Sequence, residues 1–322
     1  MVMLKQKVGQ GLARFMELRG RRIFESQSTL WHSTDGKMLM SLPYHLALDP
    51  DPGEMNALLR ETGSLGVRYA SITRAGAPGG LYVCRDKEYS LKSVQSRLRS
   101  KVRRGLEHCE VREVEAEELL GQGLRLNQET MARQGRYESE FGEPLSFARI
   151  VQAIRSSPRV VAYGSFVDGM LGAYAVTYEE DGWFHILHQM SRVDLLEHYP
   201  NHALAFTLTE AALSKPEIVG MSYGLKSLVN TAGLHDFKLR MGFECLSQNM
   251  VCELHPTASG LLTSGLASFG LKMVRRCFPR DQRLERVQAV ISSARVAKGL
   301  VSLESVTSGA PESEAASQEE VA

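Results

Sequence analysis

Residues 159–167 (RVVAYGSFV), 170–179 (MLGAYAVTYE) and 183–190 (WFHILHQM) follow one another, joined through Asp168-Gly169 and Asp181-Gly182. An Asp-Gly pair between runs of β-branched and aromatic residues is the strongest short hairpin signal a sequence carries. The spacing therefore predicts a three-stranded antiparallel meander. Downstream, Tyr199-Pro200-Asn201 opens a helix predicted over 202–214, and a strand over 218–223 stops at Gly224. A short helix over 234–241 ends at Gly242, and a last strand covers 243–254. Upstream, helical patterns cover 116–134 and 145–155, the second opened by Pro144. A meander followed by a strand-helix-strand crossover builds a mixed, mainly antiparallel sheet with helices on its faces, an α/β (α+β) fold class.

The N-terminal part reads less regularly. Leu4, Val8, Leu12 and Phe15 recur at helical spacing, with basic residues between them. Met38 to Leu42 reads as a strand stopped by Pro43, and Asp51 caps a helix over 55–62 that ends at Gly63. Strands over 67–73 and 81–84 flank a glycine-rich turn expected at 75–80. An arginine-rich helix covers 90–107, and a short strand covers 110–113. After His255-Pro256 come an apolar stripe (Leu262, Leu266, Phe269, Met273) and a basic run to Lys298. Residues 305–322 hold too few large apolar groups to order themselves.

At 322 residues, 43% hydrophobic and 23% charged, the chain has the composition of about two ordinary globular units. A net charge of +1 gives no global case for a polyanion partner. Five cysteines without a C-x-x-C pair predict reduced thiols, with neither a disulfide framework nor a metal site. No run of about 18 apolar residues exists, and the first residues lack a leader's apolar core. The expected location is cytoplasmic, with peripheral contact at the inner face of a membrane as an option. That contact would use the basic segments 1–22 and 260–298 on anionic lipid.

The element order from 116 onward, with Ile218-Val219-Gly220-Met221-Ser222-Tyr223-Gly224 and the Phe237-Lys238 to Gly242-Phe243 run, resembles the GNAT superfamily. Within it, the similarity is to FemAB-type and BioF2-like acetyltransferase domains. The arginine-rich helix over 91–109 and Leu42-Pro43-Tyr44 look like the same family's inter-lobe helix and first-lobe strand end. The resemblance implies two GNAT-like lobes, 20–110 and 111–254, the second holding the donor. An N-terminal helix (1–19), a basic helical extension (255–304) and a disordered acidic tail (305–322) complete the expected organisation. It also implies acyl transfer from acetyl-CoA or another acyl-CoA to an amine or hydroxyl, the acceptor being a small molecule or envelope precursor. Two alternatives stand beside it: aminoacyl-tRNA as donor, and a non-catalytic membrane or protein-binding module. The link over 191–202 lacks the glycines of a pyrophosphate-binding loop, which sets the CoA donor against the tRNA alternative.

The candidate residues follow. His188, Tyr223 and Lys238 are the catalytic candidates, as base, proton donor and fixed cation respectively. Arg192, Asn201 and Lys238 are the donor-binding candidates, and Arg99, Arg103 and Arg104 the acceptor-binding ones. His185 and His188, an odd number of residues apart, are expected on opposite faces of their strand. Asp236 and Glu197 are weaker bases, and Asp236 is placed to pair with Arg240.

Overall fold

Both Asp-Gly pairs form the turns their sequence predicts. Asp168 and Asp181 take φ of 49° and 54°, and Gly169 and Gly182 follow at 78° and 76°. Two successive left-handed residues match the twist of a tight hairpin. The computed structural model describes residues 8–34, 37–226, 232–265, 273 and 282–301. In chain order these form α1 (Gln10–Leu18), β1 (Ile23–Glu25), β2 (Leu30–Ser33), β3 (Met38–Leu42), α2 (Pro52–Thr62), β4 (Gly66–Ser71) and β5 (Ala77–Cys84). Next come α3 (Ser96–His108), β6 (Glu110–Glu113), α4 (Ala116–Arg133), α5 (Ser139–Gly142), α6 (Pro144–Arg155), β7 (Val160–Val167), β8 (Met170–Glu180) and β9 (Trp183–Ser191). A 3₁₀ turn (Val193–His198) leads into α7 (Pro200–Leu213), β10 (Gly220–Leu225), α8 (Ala232–Arg240) and β11 (Glu244–Leu254). The helices α9 (Pro256–Leu262) and α10 (Gln282–Ala297) follow.

One sheet of eleven strands runs in the order β1-β2-β3-β4-β11-β5-β10-β9-β8-β7-β6. Its two parallel neighbours are β3–β4 and β9–β10, each joined by three residue pairs. At the centre the halves of the chain exchange strands. The late strand β11 pairs with β4, and the early strand β5 pairs with β10. From Ala77 onward the expected turn at 75–80 is instead strand: Pro78, Gly79 and Gly80 pair with Asn249, Gln248 and Ser247 of β11. A Cβ on Gly79 would lie 2.5 Å from Met250 Cγ, and one on Gly80 2.4 Å from Cys245 Sγ. The glycines are there for close passage rather than for turning.

Alternation along β8 and β9 splits the core across the sheet. Tyr174, Val176 and Tyr178 join α1, α4 and α6 on one face. Ala173, Ala175, Phe184 and Ile186 join α3 and α7 on the other. Leu12, Ala13, Phe15 and Met16 of α1 are buried. Its entry is held by the β8–β9 hairpin, through Gly9 N–H to Asp181 (3.3 Å), Gly11 N–H to Glu180 (3.1 Å) and Leu12 N–H to the Tyr178 hydroxyl (3.1 Å). The apolar side of this helix is thus used inside the molecule. In α10, Ile291, Ala294 and Val296 are buried, and the Ser293 hydroxyl donates to the Met250 carbonyl (2.6 Å). Residues 1–7, residues 266–272, 274–281 and 302–304 of the expected basic extension, and the tail at 305–322 lie outside the described residues. Among the described residues no helix is long and apolar enough to cross a membrane.

Candidate active site

Between β9 and β10 the last register pair is Ser222 with His185, and beyond it the strands part. On its other edge β9 slips against β8: Val176 opposes His188 while Thr177 opposes Ile186, so Leu187 is an extra residue. A bulge of this kind re-aims side chains. It corrects the expectation for the two histidines, because one inserted residue restores their parity. Both face the α1 side, His185 stacked on His45 and Tyr178 (5.0 and 5.9 Å) and His188 edge-on to Phe141 (4.5 Å).

Against the bulge lies a cavity of about 140 Å³ built from both halves of the chain. Met16 of α1, Arg19 and Arg21 beyond it, His32 of β2 and Tyr44 after β3 form one wall. Glu140 of α5 with Leu187 and His188 of β9 forms the other. Arg19, one of the cations of the N-terminal segment, is buried here with its side chain only 3% exposed. It donates to Glu140 Oε2 (2.9 Å) and to His188 Nε2 (3.3 Å), between the rings of Phe15 and Phe141. Arg21 pairs with the other oxygen of Glu140 at 2.8 Å.

A guanidinium can only donate, so His188 Nε2 is an unprotonated acceptor whose lone pair is already engaged. Burial first, then Arg19 and Arg136, hold this imidazole well below its ordinary pKa. The structure therefore brings His188 to the cavity as a partner that positions Arg19, and not as the free base expected. His32 is similarly neutral, pushed down to about 4 chiefly by burial. Its Nδ1 meets the Ser33 carbonyl (3.2 Å), and its Nε2 accepts from the Tyr44 hydroxyl (3.1 Å).

Tyr223 and Lys238 meet on the opposite face. Lys238 is buried, donates to the Tyr223 carbonyl (2.5 Å), and sits 4.4 and 4.7 Å from the rings of Tyr82 and Tyr223. Desolvation pushes its pKa down to about 8. It clamps the end of β10 where that strand leaves β9. The Tyr223 hydroxyl, kept protonated by burial, donates to Gln189 of β9, whose amide donates to Asn201 of α7 (2.9 Å). A polar chain thus crosses the gap between the parted strands.

The link between β9 and α7 is where a CoA pyrophosphate would rest in the fold that the sequence resembles. Here Arg192 is engaged by Asp194 (2.7 and 2.9 Å), which also meets Arg125 (3.1 Å). The Val193 N–H donates to Glu129 (2.6 Å), and Pro200 leaves the first position of α7 without an N–H. Carboxylates already hold the groups a phosphate would need, so these residues do not fit a pyrophosphate seated on the loop. The cations beside α7 come from α3: Lys101 and Arg104 lie 5.8 and 5.1 Å from the Tyr199 ring.

The three arginines expected to bind the acceptor do not line the cavity. Arg99 donates to the Val94 and Lys92 carbonyls (both 2.9 Å), Arg103 is exposed, and Arg104 reaches the Tyr199 hydroxyl at 3.5 Å. They sit on α3, which packs on α7 across the sheet from the cavity. Asp236 pairs with Arg240 (3.8 Å) and Glu197 with His198 (3.8 Å). The residues that build the cavity, Arg19, Glu140, His32 and Tyr44, carry no local sequence signal that joins them.

A mixed, mainly antiparallel sheet of eleven strands with helices on its faces, in which β9 and β10 part beyond His185 and Ser222, is a GNAT-like fold. FemX shares it at a TM-score of 0.53 and 13% identity, over 74% of this chain and 90% of that one. So does the C-terminal domain of a protein described as a lysylphosphatidylglycerol synthetase from Agrobacterium fabrum, at 0.52 and 14% identity, over 77% and 88%. No protein-family model matches the sequence, and no curated protein matches it. At such identities the likeness establishes the fold, and activity has to be argued from the site.

Proposed function

We propose that the protein is an acyltransferase whose acceptor, an amine or hydroxyl, enters the cavity between the two lobes. The observation that carries this reading is a cavity, lined by Arg19, Arg21, His32, Tyr44, Glu140 and His188, set against the bulged, parted stretch of β9. A carbonyl placed in the gap has the acceptor on one face of the sheet and α7 on the other. Attack forms the new C–N or C–O bond and breaks the bond to the donor's leaving atom. The nucleophile gives up one proton and the leaving atom takes one, so the exchange is proton-neutral. Tyr223 is the group suited to supply the second proton, because it rests protonated on Gln189 beside the gap. Lys238 holds that strand end in place through the Tyr223 carbonyl.

For the donor, the occupied loop after β9 favours the aminoacyl-tRNA reading over acyl-CoA, with α3's Arg97, Lys101, Arg103 and Arg104 as the phosphate-facing cations. The test presents both donors, with and without a panel of amines, and follows thiol release and tRNA deacylation. Consumption of either donor by the wild type, lost in Tyr223→Phe, sustains the proposal. If tRNA is the donor, Lys101→Gln with Arg104→Gln should flatten the salt dependence of its binding by roughly two phosphate contacts. No binding and no turnover of either donor would leave a non-catalytic module.

A further inference from the structure

One edge of the Arg19 guanidinium is only half used: Glu140 sits on Nη2 and nothing on Nε. Its Nε is buried and has no hydrogen-bond partner, although Nη1 and Nη2 are both engaged. A buried charged donor left unpaired is costly, and a guanidinium presents Nε and Nη as a fork shaped for an oxyanion. Among the described residues the one carboxylate lining the cavity is Glu140, which is shared between Arg19 and Arg21 and a quarter exposed. The remaining polar lining adds no negative charge: His188 and His32 accept from Arg19 and Tyr44, and the Tyr44 hydroxyl is uncharged. A cavity of about 140 Å³ has several times the room one ordered water needs. Leu187, the inserted residue of the bulge, is part of its wall, so a group seated on Arg19 lies beside the parted strands.

We propose that the cavity is an oxyanion site, in which Arg19 binds a carboxylate or phosphate of the acceptor and Glu140 serves as the built-in counter-ion that the ligand displaces. That the anion belongs to the acceptor rests on the acyl-transfer reading; the binding itself does not. The reactive amine or hydroxyl then lies a few bonds from an acidic group, which selects anionic acceptors over neutral or cationic ones.

The experiment is calorimetric titration of the full chain at low ionic strength with acetate, inorganic phosphate and acetamide, the last a neutral isostere. One or both anions should bind saturably, and acetamide should not. Glu140→Gln should tighten the bound anion at least tenfold. Arg19→Lys, which keeps the charge and loses the fork, should weaken it at least tenfold. Acetate alone marks a carboxylate-bearing acceptor and phosphate alone a phosphorylated one, and either sustains the site. Absence of saturable binding in both the wild type and Glu140→Gln overturns it, as does anion affinity that neither substitution changes. Should Arg19→Lys fail to fold, Glu140→Gln decides alone. Anion binding without transfer would fault the acyltransferase reading and leave the site standing; transfer without anion binding would do the reverse.

Discussion

Lowering the pH should unfold this protein through its histidines. His185, His32 and His202 are 3%, 6% and 2% exposed, and burial pushes them down to about 3, 4 and 4. His188 lies well below its ordinary value for the same reason, reinforced by Arg19. In the unfolded chain each returns to about 6.5. Folded values below unfolded ones mean that the unfolded state binds the extra protons. Stability is then full above about pH 6.5 and is lost as the pH falls towards the folded values. Each such histidine contributes a slope of about 1.4 kcal/mol per pH unit. Four together approach about 5 kcal/mol per unit near pH 5, comparable with the whole stability of an ordinary domain. Glu180, raised by burial, acts in the opposite sense but is a single group. Urea unfolding followed by circular dichroism at pH 7.5, 6.5, 5.5 and 5.0 measures the slope. His185→Phe is the decisive variant: Nε2 of His185 has no partner, and a phenyl ring preserves the stack between His45 and Tyr178. It should remove about 1.4 kcal/mol per pH unit from the slope and be more stable than the wild type at pH 5.5. Wild-type stability that is flat between pH 6.5 and 5.5, or a slope unchanged in His185→Phe, would refute the reasoning.

Gly105→Ala places a Cβ 2.8 Å from the Tyr199 carbonyl and 3.2 Å from Ala203. It should wedge α3 from α7 and cost about 1–3 kcal/mol in urea unfolding. Asn127→Leu strips the Tyr174 hydroxyl of its acceptor and the Phe141 carbonyl of its donor. A loss of about 2–4 kcal/mol is expected, together with weaker anion binding, because Phe141 adjoins Glu140; calorimetry and unfolding check both. Glu129→Gln with Asp194→Asn removes the carboxylates that hold Val193 N–H and Arg192. CoA affinity, measured by titration, should rise at least tenfold; an unchanged affinity means the obstacle lies elsewhere.

What was legible in the sequence was local. The meander is announced by Asp168-Gly169 and Asp181-Gly182, and the left-handed backbone of each is a property of two adjacent residues. The Phe237-Lys238 pair, named from resemblance, stands at the end of β10 because a strand, a loop and a short helix place it there. The bulge at Leu187 was not legible: it lies between Ile186 and His188, and nothing in that apolar run marks an inserted residue. Pro78-Gly79-Gly80 has turn composition, yet its glycines answer to Met250 and Cys245, far away in the chain. The cavity was hidden for the same reason, since the Arg19–Glu140 contact spans 121 residues. An arginine-rich N-terminal segment looks solvated until Glu140 and His188, far along the chain, close over one of its members.

The exchange of β5 and β11 at the centre of the sheet sets a schedule for the nascent chain. Ser71 of β4 pairs with Asn249 of β11, about 180 residues downstream. At ~5–20 residues per second of synthesis, β4 presents an unpaired edge for roughly 10–35 s before its neighbour leaves the ribosome. Val67 and Tyr69 share their cluster with Val251 of β11 and stay incompletely covered for the same interval. The first half of the protein is therefore a natural client for a chaperone. A premature stop anywhere before β11 would release a fragment whose open strand edge invites aggregation rather than a shortened but folded lobe.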